Sequence, residues 1–342
     1  MDLQTLWFAA VAVLWTGFLL LEGFDFGVAA LLPVIGRKPA DRHLMLRSIG
    51  PLWDGNEVWL ITAAGAVFAA FPGWYATWLP ALYLPFVLVL FGLIIRAVAF
   101  EWRHSHHTPA WDASWTNVIT TGSLIAALGV GAALGGTTLG LPIDGDGVRV
   151  GGAFAGVTWS ALLGGVAVLA YSMVHGAVFL ALKTEGPVRL AARAFARRWS
   201  LVAALPLLAW AGLVQLREGT VLTGALWLVA AVAVLVTWAS TRLDREGPAF
   251  SAWAVVMLAS AATIFGAVHP VVVVSSIDPA FDVTIAEASV SDYTLTVMTW
   301  VAGFGLPVVL GYQAWTYWVF RQRLAADPET PHADATEEPV RA

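Results

Sequence analysis

Trp53-Asp54-Gly55-Asn56-Glu57-Val58-Trp59 is a polar word that runs directly into Leu60-Ile61-Thr62-Ala63-Ala64. Two carboxyls and an amide open a segment that otherwise has the composition of a lipid-buried helix. An ionisable group at the centre of a membrane helix costs about 3 kcal/mol or more unless it faces protein, a partner or water. A second acidic pair, Glu22 and Asp25, interrupts the first apolar run. These four residues are the first place to look for function.

Composition supports the membrane reading. Of 342 residues, 59% are hydrophobic and 12% charged, with a mean hydropathy of +0.76. A soluble chain carries about 25% charged residues. The apolar runs are continuous rather than alternating, which selects helices over barrel strands. A net charge of −5 without a basic stripe gives no sign of nucleic-acid binding. Cysteine is absent, which excludes disulfides, thiolate metal ligands and cysteine nucleophiles. There is no phosphate-binding Gly-Lys-Ser/Thr loop. No basic stretch precedes the first apolar run, so it reads as a retained span rather than a cleaved signal.

Working outward from the polar word, nine segments are long enough to cross about 30 Å of hydrocarbon. They lie near 5–33, 51–71, 78–100, 115–136, 153–182, 198–216, 220–241, 251–272 and 293–320. Fourteen of the eighteen basic residues fall in the odd-numbered connections and the start of the tail. They include Arg37, Lys38, Arg42 and Arg47 in the first connection, and Lys183, Arg189, Arg193, Arg197 and Arg198 in the fifth. The positive-inside rule then places the N-terminus outside and the C-terminus in the cytoplasm. Residues 1–323 read as one integral membrane domain, and 324–342 as a disordered cytoplasmic tail.

In this topology Glu22 and Asp25 lie in the cytoplasmic half of the first helix. Asp54 and Glu57 occupy the first two turns of the second. Each pair has i,i+3 spacing, which predicts a shared face. Two readings fit: a proton or cation path opening to the cytoplasm, or interhelical hydrogen bonding. Arg96, inside the third segment, is expected to pair with an acid of helix one or two, or to snorkel. His175 could ligate haem iron, relay a proton or bond across a helix interface, and His269 reads as a boundary anchor. His104, His106 and His107 read as a solvated loop rather than a metal site. Glycines including Gly23, Gly27, Gly55, Gly122, Gly164 and Gly176 would permit close helix packing.

Several motifs in order resemble one family, subunit II of the cytochrome bd-type quinol oxidases. They are Leu21-Glu22-Gly23-Phe24-Asp25-Phe26-Gly27-Val28, Gly50-Pro51-Leu52 leading into the polar word, and Arg96-Ala97-Val98-Ala99-Phe100-Glu101. His175-Gly176-Ala177, Leu182-Lys183-Thr184-Glu185-Gly186, Ser275-Ser276-Ile277-Asp278-Pro279 and Tyr312-Gln313-Ala314-Trp315-Thr316-Tyr317-Trp318 follow.

The resemblance implies an all-α polytopic protein with nine transmembrane helices, arranged as two four-helix bundles plus one peripheral helix. It implies a heterodimer in the bacterial plasma membrane with a haem-bearing subunit I, and leaves room for a small accessory membrane subunit. Subunit I would carry haem b558, haem b595 and haem d and would oxidise quinol, with dioxygen reduced to water. This chain would support assembly, haem-site stability and cytoplasmic proton access. By the same resemblance Asp54 is the candidate proton-access residue, with Glu22, Asp25 and Glu57 in support. Trp53 and Arg96 would shape the haem environment or the subunit interface without acting as ligands, and His175 is downgraded as a haem ligand. The alternatives are a proton-coupled secondary transporter, which uses the same carboxyls, and a purely structural membrane subunit.

Overall fold

A computed structural model describes residues 2–103, 105–106 and 108–325. His104, His107 and the tail from 326 onward lie outside the described residues. So does most of the expected disordered segment.

The architecture is almost entirely helical. In chain order the helices are α1 (Leu3–Ala30), α2 (Leu32–Ile35), α3 (Pro39–Ile49), α4 (Trp53–Ala70), α5 (Pro72–Ala81), α6 (Tyr83–Trp102) and α7 (Pro109–Leu139). They continue as α8 (Trp159–Lys183), α9 (Gly186–Glu218), α10 (Val221–Arg242), α11 (Glu246–Val268), α12 (Ile285–Ala288) and α13 (Asp292–Val319). A two-stranded antiparallel ribbon, β1 (Val271–Val273) with β2 (Val283–Thr284), is the one sheet among the described residues.

Eight described helices are long and apolar enough to cross a membrane: α1, α6, α7, α8, α9, α10, α11 and α13. The remaining expected segment, 51–71, forms α4, whose polar opening turns lower its hydropathy.

Of the boundaries that differ from the sequence reading, three have a clear local cause. The segment expected at 78–100 is broken at Leu82, which divides α5 from α6. Pro80 and Pro85 flank the break, and each lacks a backbone N–H for a continuous helix. Helix α9 begins at Gly186 rather than near 198, so Arg189, Arg193 and Arg197 lie on a helix and not in a loop. Val188, Ala192 and Ala196 are buried at i,i+4 spacing on one side of that extension, leaving the arginines for the other. The segment expected to reach 272 ends at Val268, and the β-branched Val271-Val272-Val273 enters the ribbon instead.

Helix α1 is the axis of the molecule. It packs against α4, α7, α8, α11 and α13, and every residue from Glu22 to Leu32 is buried. Its crossing with α8 is made by glycine. A Cβ built on Gly27 would lie 1.8 Å from the Ser172 carbonyl oxygen, and one on Gly176 would lie 2.4 Å from Gly27 C. Helices α7 and α8 meet in the same way at Gly131 and Gly164. Gly55 is different: only Gln313 Oε1 approaches its Cβ position, at 3.9 Å, so it does not mark a close helix crossing.

Helix α13 is the outlier, with 6% of its apolar window buried. It is held at both ends. The Trp7 indole N–H donates to Thr299 Oγ1 at 3.0 Å. After the helix, the Lys183 ammonium donates to the Phe320 and Gln322 carbonyls, and Leu324 N–H donates to the Lys183 carbonyl at 2.9 Å.

Candidate functional site

The polar word folds as the first two turns of α4, and α4 lies on α1. Asn56 is fully buried there, while Glu57 is half-buried and Asp54 exposed. From α1, Glu22 and Asp25 are fully buried. From α6, Arg96 reaches into the same space and is itself fully buried. Its guanidinium pairs with Glu22 through Nη1 and, through the same nitrogen, with Glu57 Oε1 at 2.8 Å. Three helices thus deliver one cation and two acids to one point.

Aromatic rings enclose that cation. The Arg96 Cζ stands 5.0 Å from the Phe26 ring centroid, 5.4 Å from Phe100 and 5.9 Å from Trp53. Trp53 stacks on Phe100 with centroids 4.9 Å apart and planes 14° from parallel. A guanidinium is attracted to ring faces and is less strongly hydrated than an ammonium, which suits it to such an enclosed site. Trp53 therefore packs against the side of Arg96 rather than lining open space.

Asp25 is reached through a different residue. Asn56 Nδ2 donates to Asp25 Oδ2 at 2.7 Å and to the Leu21 carbonyl at 3.3 Å. Its Oδ1 accepts from Tyr317 Oη at 2.9 Å and Gln313 Nε2 at 3.2 Å. The amide uses both donors and both acceptor positions, and ties α1, α4 and α13 together. Tyr317 and Gln313 lie at i,i+4 on α13, so they share the face that meets α4. Sequence shows their spacing and the amide, but not which helix they meet.

Asp54 stands apart from this network. It opens an outward stripe of α4 that continues through Val58, Ile61 and Phe68, all exposed. The expectation that Asp54 and Glu57 share a face is therefore corrected: Glu57 turns toward Arg96 and Asp54 does not. Within the cluster, Glu22 Oε2, Asp25 Oδ1 and Arg96 Nε and Nη2 are buried without a hydrogen-bond partner among the described residues. Polar atoms in that condition are the usual anchoring points of ordered water.

The histidines go elsewhere. His175 is fully buried, and its Nε2 lies 3.0 Å from the Leu20 carbonyl, which accepts from it across the α1–α8 interface. Its ring stacks on Phe250 at 5.1 Å, with Tyr171 at 5.1 Å and Phe24 at 5.8 Å. Rings on these sides and a carbonyl on Nε2 do not fit a haem ligand. His269 sits near Thr5 and packs edge-on against Phe8. It helps line a cleft of about 710 Å³ at the end of the molecule that carries the ribbon. His106 packs edge-on against Trp111. Among the described residues, no group of three or more His, Asp or Glu is placed to hold a metal ion.

A second charged cluster lies at the opposite end from the ribbon. Glu246 receives Arg189 Nε at 2.6 Å and Arg323 Nη2 at 2.6 Å, while Arg193 pairs with Asp244. The hydrogen bond from Arg193 holds the exposed Asp244 carboxyl below its usual range.

The sequence matches the model of the family "Cytochrome bd terminal oxidase subunit II" over residues 3–320. It is 38% identical over 330 residues to the cytochrome bd ubiquinol oxidase subunit 2 of Bacillus subtilis, covering 95% of this chain and 97% of that one. It is 33% identical over 364 residues to the cytochrome bd-I ubiquinol oxidase subunit 2 of Escherichia coli K12, covering 95% and 96%. The fold is similar to a chain in the structure of bd oxidase from Geobacillus thermodenitrificans, with a TM-score of 0.77 and 16% identity. That similarity covers 94% of this chain and 99% of the other.

Proposed function

The chain belongs to the cytochrome bd terminal oxidase subunit II family, and from that premise we propose that it gives protons access to a haem-bearing partner subunit. The complex oxidises quinol and reduces dioxygen to water. Haem b558, haem b595, haem d and the quinol site belong to subunit I. The side chains around His175 do not fit a haem, and no step of the chemistry is assigned to His175 or His269.

One observation carries the proton-access reading: Asp54 stands on an outward apolar stripe of α4, one turn from the buried cluster of Glu22, Asp25, Glu57 and Arg96. Asp54 lies in the first turn of α4, at the boundary of the span, where a carboxyl can meet water on one side and a partner protein on the other. Facing a partner protein, it serves as a polar bridge across the interface. Glu22 and Glu57 share one guanidinium, and Asp25 joins them through Asn56. The buried oxygens without protein partners give water a place to connect them. Trp53 and Arg96 fix the geometry by packing, not by ligation.

Nine spans follow if α4 is counted. Its 18 residues extend about 27 Å, close to the hydrocarbon thickness. Helices α1, α4, α6 and α7 then form one group and α8, α9, α10 and α11 the other, with α13 peripheral. The positive-inside rule supports basic connections in the cytoplasm of a bacterial plasma membrane and the N-terminus outside. Residues 1–323 act as one membrane unit. The transporter alternative rested on the same carboxyls and gives way to the family match.

The test is Asp54→Asn in the purified complex, with haem spectrum and oxygen consumption recorded together. Retained haems with slowed, pH-dependent turnover are expected. Unchanged turnover from acid to alkaline pH would refute proton access at Asp54. Loss of haem would assign the residue to assembly instead.

A further inference from the structure

The basic end of α9–α11 carries more guanidinium than its acids use. Glu246 is occupied by Arg189 and Arg323, and Asp244 by Arg193. None of the ion pairs at this end includes Arg197, Arg242 or Arg245, and all three are exposed. Arg197 and Arg242 are nonetheless held together. Arg197 Nη2 donates to the Arg242 carbonyl at 2.9 Å, which joins α9 to the last turn of α10. The Arg242 guanidinium lies 4.5 Å from the Trp238 ring centroid, one turn below it. Arg245 follows in the three-residue connection to α11.

Beneath these arginines the same helix faces become apolar. On α9, Leu201 lies one turn from Arg197 and is 37% exposed; on α10, Leu235 lies two turns from Arg242 and is 58% exposed. The patch is thus a cationic rim over an apolar slope, floored by an indole at the boundary. A phosphodiester matches the rim, because guanidinium offers it two parallel N–H donors. Acyl chains match the slope. Basic pockets between transmembrane helices are known to suit anionic phospholipid head groups. A soluble anion would use the rim but leave the leucines unexplained.

We propose that Arg197, Arg242 and Arg245 form a binding site for an anionic phospholipid of the adjoining leaflet, its phosphate on the guanidiniums and its chains along α9 and α10. The site does not depend on the proton-access reading, and the haem spectrum reports assembly separately.

The experiment uses the intact complex purified in neutral detergent and stripped of lipid. Phosphatidylglycerol and phosphatidylcholine are added back in mixed micelles, and bound lipid is counted by native mass spectrometry. Wild type should retain phosphatidylglycerol selectively. Each arginine near the surface contributes about fivefold to affinity, so R242Q should weaken retention about fivefold and the triple Gln variant on the order of a hundredfold. Haem content and turnover without added lipid should not change in R242Q. Inorganic phosphate at millimolar concentration should not displace the lipid; equal displacement would reduce the site to a head-group contact and overturn the proposal. Unchanged phosphatidylglycerol retention in R242Q and the triple variant would also overturn it, and would leave the patch to a protein contact.

Discussion

Arg96 is the single cation of the buried cluster, so its removal is the sharpest perturbation available. Arg96→Met preserves most of the side-chain volume and its apolar contact with Phe26 and Phe100. It leaves Glu22, fully buried, and Glu57 without their shared partner. Deleting one half of a buried ion pair costs about 3–5 kcal/mol, because the other charge remains desolvated. Replacing both halves removes that penalty, so Arg96→Met with Glu22→Gln should recover about 2–3 kcal/mol of the loss. The measurement is a double-mutant cycle on the complex, unfolded reversibly in mixed micelles and followed by helical circular dichroism. Near-additive single variants, with a coupling within about 0.5 kcal/mol, would refute the reasoning. The guanidinium would then not be the counter-ion that holds α1 to α6. Arg96→Lys should fall between wild type and Met, since it keeps the charge but loses the planar guanidinium that packs against three rings.

At the helix crossing, Gly27→Val should destabilise by at least about 1–3 kcal/mol in the same unfolding assay, since the new side chain meets the Ser172 carbonyl. Tyr317→Phe removes one hydrogen bond to Asn56 and should cost about 1 kcal/mol, whereas Asn56→Ala strands Asp25, Tyr317 and Gln313 together and should cost several times more; equal effects would refute the hub. Asp282, in the ribbon's loop, is raised above its ordinary 3.8 by burial, against a backbone N–H from Ser275 that lowers it and with Glu218 and Asp278 adding repulsion. A raised folded-state carboxyl contributes stability that is full below pH 3.8 and lost as pH rises through its folded value. Asp282→Asn keeps an acceptor for Ser275 N–H, so it should raise the melting temperature of the complex at neutral pH and make no difference at the acid limit; a gain of the same size at both would count against this account.

The legible part of the fold followed from apolar length and charge alternation. Those signals require no tertiary information, and the long helices begin and end within several residues of expectation in most cases. The failures have local causes. Pro80 and Pro85 stop a helix that hydropathy alone would continue, and the buried Val188-Ala192-Ala196 ridge extends α9 through a basic stretch that composition reads as loop. The site was legible as a set of residue types but not as a geometry. Arg96 could be matched to helix one or helix two, and it takes an acid from each. Asn56 stood in the polar word, yet its four hydrogen bonds depend on which helix α13 meets.

The separation of Asp54 from Glu57 shows where spacing ceases to decide. Three residues along a helix turn it by about 300°, so the two side chains diverge by about 60°. That divergence is small enough to call one face and large enough for the edge of a helix contact to fall between them. On α4 the edge does fall there: Glu57 lies on the side that meets Arg96, and Asp54 on the side left outward with Val58 and Ile61. An outward carboxyl at the rim of an apolar stripe is disfavoured in its charged form wherever lipid covers it. Its position makes sense when a second protein covers the stripe, and the same cover would close the route from Asp54 to lipid while leaving the buried cluster one helical turn away.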